Sequence, residues 1–75
     1  MKRYFFNIED GQCIRDPRGE TLPDINAARR TAIDILSEIM IGHVHDLLPE
    51  GRLEVKVLDA DHRPIFSVVA STAVH

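Results

Sequence analysis

The amino-acid sequence predicts an α+β domain of order ββαββ: an antiparallel four-stranded sheet with one long helix packed on one face. Three observations predict it. From Asp24 to about Leu48, apolar residues recur at helical spacing. Residues 3–9 and 52–59 instead alternate apolar and polar side chains, the period of a half-buried strand. Turn chemistry at Asp10-Gly11, at 16–19 and at 60–64 supplies the reversals.

Arg3 to Glu9 reads as the first strand, with Tyr4, Phe6 and Ile8 on one face and Phe5, Asn7 and Glu9 on the other. Asp10-Gly11 is a two-residue hairpin signal, because both residue types tolerate positive φ. Gln12 to about Arg15 returns as a short second strand, which places Cys13 opposite Ile8. Asp16-Pro17-Arg18-Gly19 is a turn, Pro setting φ at its second position and Gly relieving its last. Glu20 to Pro23 then leads extended into the helix. After the helix, Arg52 to Asp59 puts Leu53, Val55 and Val57 on one face and Glu54, Lys56 and Leu58 on the other. Ala60 to Pro64 forms the second hairpin loop, Ile65 to about Ala70 the last strand, and Ser71 to His75 a frayed tail. If the strand after the helix lies beside the first, the order is 2-1-3-4 and every neighbouring pair is antiparallel. The second sheet face then carries Phe5, Asn7, Ile14, Glu54 and Lys56 with some of Phe66 and Val68, which is more apolar than a purely solvated face.

The helix organises the chain. Ile25, Ala28, Ala32, Ile33, Ile35, Leu36, Ile39, Met40, Val44 and Leu47 fall on one side of it, and Asn26, Arg30, Thr31, Asp34, Ser37, Glu38 and His45 on the other. Asp24 is the expected N-cap, its carboxylate accepting from free first-turn amides; Thr21, three residues before Asp24, is the alternative. Pro49 stops the helix; Gly42 lies inside it at the edge of the apolar face, a place for close packing or for a break. At 1.5 Å per residue, roughly 24 residues span about 36 Å, whereas a typical strand covers about 17–20 Å. The helix is therefore expected to outlast its sheet and to leave Met40, Ile41, Val44, Leu47 and Leu48 to be covered by the loop from Asp16 to Leu22 or by a partner subunit.

With 75 residues and 44% hydrophobic content, the chain is expected to be a single ordered domain, 1–75, with a marginal core. A formal net charge of −3 with both signs interleaved argues against a nucleic-acid partner, which needs a concentrated basic face. One cysteine, Cys13, permits no internal disulfide and suits a reducing compartment. Asn7, Glu9 and Asp10 interrupt the first apolar run, so no secretion signal is expected, and no stretch reaches transmembrane length. The expected location is the cytoplasm.

No motif carries chemistry. His43 and His45 are two apart and diverge by about 200° on a helix, so they cannot share a metal; His43 is expected to be half-buried beside Asp46. His62 and His75 read as solvated, and Cys13 as a small core residue. Asp10, Asp16, Asp24, Asp59 and Asp61 sit where turns and caps favour Asp. Lys2, Arg3, Arg15, Arg18, Arg29 and Arg30 are interleaved with acidic residues and read as a mixed solvated surface. The expectation is no catalytic residue, no cofactor and no metal.

Arg3-Tyr4-Phe5-Phe6-Asn7-Ile8, Asp10-Gly11, the run Gly19-Glu20-Thr21-Leu22-Pro23-Asp24 and Ala27-Ala28…Ala32 resemble a family of short bacterial proteins of unknown function that opens with a Met-x-Arg-Tyr-Phe-Phe hairpin. That family's second hairpin turns on Asp-Gly, where this chain has Asp61-His62. Gly19, Thr21, Leu22, Asp24, Ala27 and Ala28 are also similar, more loosely, to the HicB-type antitoxin domain, whose expected third strand before the helix is missing or degraded here. The first resemblance implies a fold and no activity. Together these readings lead to the expectation of a non-enzymatic protein-interaction module that forms a homodimer through Met40, Ile41, Val44, Leu47, Leu48 and Phe5, with an antitoxin-like regulator of a small toxin or a DNA-binding partner as the alternative.

Overall fold

The computed structural model describes residues 1–42 and 51–71. Its elements run β1 (Lys2–Glu9), β2 (Cys13–Ile14), β3 (Glu20–Leu22), α1 (Ile25–Gly42), β4 (Arg52–Leu58) and β5 (Pro64–Ser71). The class is α+β, and among the described residues α1 accompanies an antiparallel sheet of five strands rather than the expected four. The path β2-β1-β4-β5 is the order expected if the strand after the helix lies beside the first. The additional strand is β3, which pairs with the start of β1 from Lys2↔Leu22 to Tyr4↔Glu20. Three residues are too few to show a period, and the partner of β3 lies far back in the chain, so this segment reads only as extended.

The alternation of β1 and β4 decides which face packs. Tyr4 and Phe6 of β1 meet Val55 and Val57 of β4 beneath Ala28 and Ala32 of α1. The two alanines let the helix axis approach the sheet closely, and Ile35, Leu36, Phe66 and Val68 close the margins. Leu53, Val55 and Val57 are fully buried; burying each such side chain stabilises by about 1.5–3 kcal/mol.

Asp24 caps α1: its Oδ1 accepts from the Ala27 amide at 2.9 Å while its carbonyl accepts from Ala28 at 3.2 Å. Thr21, the alternative cap, is committed to β3. Asp24→Ala is expected to destabilise the domain by about 0.5–2 kcal/mol, read as a lowered urea midpoint at unchanged slope; an unchanged midpoint would deny the cap its role. From Ile25 to Gly42, α1 rises about 27 Å, while the eight residues of β5 span about 26 Å. Over the described residues helix and sheet therefore match in length. The remainder of the expected helix, with His43, Val44, His45, Leu47 and Leu48, lies outside the described residues.

One register differs from expectation. Ile8 pairs with Ile14 and Glu9 with Cys13, so Asp10, Gly11 and Gln12 form a three-residue loop instead of a two-residue turn. Gly11 takes φ +97°, and the Gln12 amide donates to the Asp10 carboxylate at 3.4 Å. A slip of one residue moves every side chain to the other face. Cys13 is consequently exposed on the outer face and not in the core, and Ile14 joins Ile8 on the helix side. Phe66 and Val68 also lie on the helix side, opposite Val57 and Val55. The outer face is accordingly mixed: Asn7, Glu9, Glu54, Lys56 and Ser67 flank the apolar pair Phe5 and Leu58, with Cys13 and Val69 beside them.

Candidate interaction surface

Phe5 and Leu58 pair across β1 and β4 on the outer face, yet Phe5 is only 7% exposed. Two turns of the same chain cover it. Gly19, at φ +72°, leaves no room above Phe5: a Cβ there would lie 3.0 Å from its ring and 2.8 Å from the Tyr4 carbonyl oxygen. From the other side His62 stacks on the ring, centroids 4.1 Å apart and planes 25° from parallel. Asp59 shapes that second turn by accepting from the Asp61 and Arg63 amides, both at 2.9 Å, and His62 takes the left-handed conformation at φ 62°. His62 is an exposed loop residue, as expected, and is also a lid on Phe5. Phe5, expected at the interface, is covered within its own chain.

Asp16 is the junction of the first half. Its Oδ1 accepts from the amides of Arg18 at 3.1 Å and Gly19 at 3.0 Å, the bonds expected of a turn residue. Its Oδ2 also reaches the Phe6 amide at 3.2 Å, and its own amide donates to Asn7 Oδ1 at 3.0 Å. These bonds fill the stretch of β1 between its pairings with β3 and β2. The Arg3 guanidinium donates to the Arg18 carbonyl nearby. Burial alone would raise the Asp16 carboxyl, but the amides of Gly19, Arg18 and Phe6 and the charge of Arg3 outweigh it and hold the group below the usual carboxylate range.

A shallow groove of about 580 Å³ runs over the outer face past Asn7, Glu9, Arg15, Lys56 and His62. Two of its charges are matched in place: Lys56 Nζ lies 3.4 Å from Glu9 Oε1. Beside it, Glu54 is buried, hydrogen-bonded by Ser67 and held 2.9 Å from Arg52 Nη1. The Ser67 hydroxyl first, then the Arg52 guanidinium, keep its carboxyl below the usual range against the effect of burial. Among the described residues no three His, Cys, Asp or Glu side chains converge as a metal site, and no buried side-chain polar atom is left without a partner. No described helix is long and apolar enough to cross a membrane. The Lys56–Glu9 and Arg52–Glu54 contacts read as structural ion pairing.

Part of the open apolar surface is on α1; Ile14 of β2 and Ile65 and Val69 of β5 are exposed as well. Ile33 is 46% exposed, Met40 38% and Ile41 79%. Met40 and Ile41 were expected there; Val44, Leu47 and Leu48 lie outside the described residues. Ile33 was expected on the buried face. Its exposure was foreshadowed, since the apolar arc from Ile35 round to Ile33 spans about 160° of the helix, wider than the stripe of about 100° that a typical core-facing helix needs. No curated protein and no solved structure matches the chain. A family profile does, over residues 3–71: the chain belongs to the domain of unknown function DUF6894.

Proposed function

We propose that this chain is a non-enzymatic protein-interaction module of the cytoplasm that self-associates as a homodimer. The supporting observation is the uncovered apolar flank of α1, where Ile33 and Met40, seven residues apart and therefore on one stripe, stand exposed beside a core that the sheet already fills. A domain this small gains stability from burying such a flank against a second copy, and a two-fold dimer is the commonest closed form. Ile41 and the apolar residues Val44, Leu47 and Leu48 would extend the contact. Sedimentation over a concentration series is expected to show a monomer–dimer equilibrium, and Met40→Asp to weaken it at least about tenfold with the fold intact by circular dichroism. A wild type that stays monomeric at high micromolar concentration would remove the reading.

A second reading, an antitoxin-like regulator, is favoured by β3. The HicB-type arrangement places a third strand before the helix, and this chain has one at Glu20–Leu22 paired with β1. A small basic protein encoded beside this chain, forming a one-to-one complex with it on gel filtration, would support that role; two such proteins that migrate independently would count against it.

A further inference from the structure

The two edges of the sheet are built differently. On the β1 side the edge is blunted: β2 has two residues, β3 three, and the Asp16 carboxylate takes the Phe6 amide between them. Short pieces, charge and side-chain capping are how natural sheets prevent edge pairing. On the other side β5 runs eight residues, and among the described residues no strand pairs with its far edge. From Pro64 to Ser71 it has no charged residue and no glycine, and its one proline stands first. The register shift between Val57 and Leu58 is confined to the start of the strand.

The direction of the free backbone groups follows from the register. The Phe6 amide donates to Asp16, on the side of β1 away from β4. Backbone groups alternate edges along a strand, so Asn7 turns its own toward Lys56. Val55 and Val57 then turn theirs toward Val68 and Phe66. Ser67 and Val69 are left with amide and carbonyl both pointing out of the sheet. The helix flank lies above the same edge. Ile35 lines a groove with Phe6, Ile8 and Ile14, which places that side of α1 toward β1 and β2. At 100° per residue, Ile33 and Met40 fall on the opposite side, over β5.

We propose, resting on the self-association reading above, that the β5 edge is the hydrogen-bonded seam of the homodimer: two copies pair β5 antiparallel about a two-fold axis near Val68, Ser67 of one facing Val69 of the other, while the Ile33–Met40 flanks close over the seam. A second copy fits because the edge is self-complementary. An uncharged strand brings no like charges together at the axis, and each outward pair exchanges two bonds. A stable dimer needs about 800 Å² per partner, more than a strand edge alone provides. The exposed helix flank on the same side adds apolar surface to the contact.

The test is amide hydrogen exchange on the full chain across a dilution series, with sedimentation on the same samples. Ser67 and Val69 amides are expected to exchange freely when dilute and to become protected as the dimer forms; Phe66 and Val68 should be protected throughout. Val69→Pro removes only an outward donor, which an edge strand tolerates, and is expected to weaken the dimer at least about tenfold. Val69→Lys, at an exposed position, serves the same purpose should the proline variant fail to fold. A dimer in which the Ser67 and Val69 amides still exchange freely, and which Val69→Lys leaves unchanged, would overturn the seam while leaving self-association intact. Absence of any dimer would overturn both.

Discussion

Gly19→Ala is expected to destabilise the domain by about 2–4 kcal/mol, from two costs that add. The first is conformational: φ +72° is the left-handed region, which an L-residue with a Cβ enters at about 1–2 kcal/mol. The second is steric. The new methyl would meet the Tyr4 carbonyl oxygen at 2.8 Å and the Phe5 ring at 3.0 Å. The carbonyl is backbone in a paired strand, next to the Tyr4↔Glu20 pair of β3, so relief requires moving β3 itself. Gly11→Ala is the control. Gly11 also has positive φ, but nothing lies within 4 Å of its would-be Cβ. It should lose only the conformational part, about 1–2 kcal/mol. Urea unfolding of the three proteins separates the costs, and equal losses at the two glycines would mean that close packing over Phe5 contributes nothing.

Asp16→Ala is expected to cost about as much, roughly 2–4 kcal/mol, because one carboxylate serves three backbone amides and bonds to a charged acceptor are worth about 1.5–3 kcal/mol each without being additive. The Phe6 amide, on a buried residue, loses its protein acceptor. Asp16→Asn should fall between the two: its oxygen can still close the turn, while its NH₂ would face the Phe6 amide. The same carboxylate makes stability depend on acid. Asp16 and Glu54 both titrate below the usual range in the folded chain. The unfolded chain therefore takes up protons first as the pH falls. Their contribution is complete above the unfolded carboxylate values, about 3.9 for Asp and 4.3 for Glu, and is lost as the pH drops through the folded ones. The stability of Asp16→Asn should consequently fall less between neutral pH and about pH 3 than that of the wild type. Parallel curves would show that Asp16 is not a source of the acid sensitivity.

The sequence by itself determined the elements whose signals are local. Leu53, Val55 and Val57 alternate with polar neighbours, and all three are buried where period two places them. Asp24 stands directly before the helical pattern and caps it through the Ala27 amide, a bond made within four residues of chain. Asp16 to Gly19 is a turn by its own chemistry. Tertiary structure decided what depends on pairing at a distance. Cys13 and Ile14 exchanged faces because the hairpin loop holds three residues, and a period of two turns that single residue into a full inversion. The β3 strand exists because β1 offers it an edge, which three residues cannot announce. Phe5 is buried although its alternation points it outward, because Gly19 and His62, distant in sequence from one another, converge on its ring. The bare edge of β5 became visible only once the strand order placed it outermost, since whether a backbone amide is free depends on which strands are its neighbours and not on its own side chain.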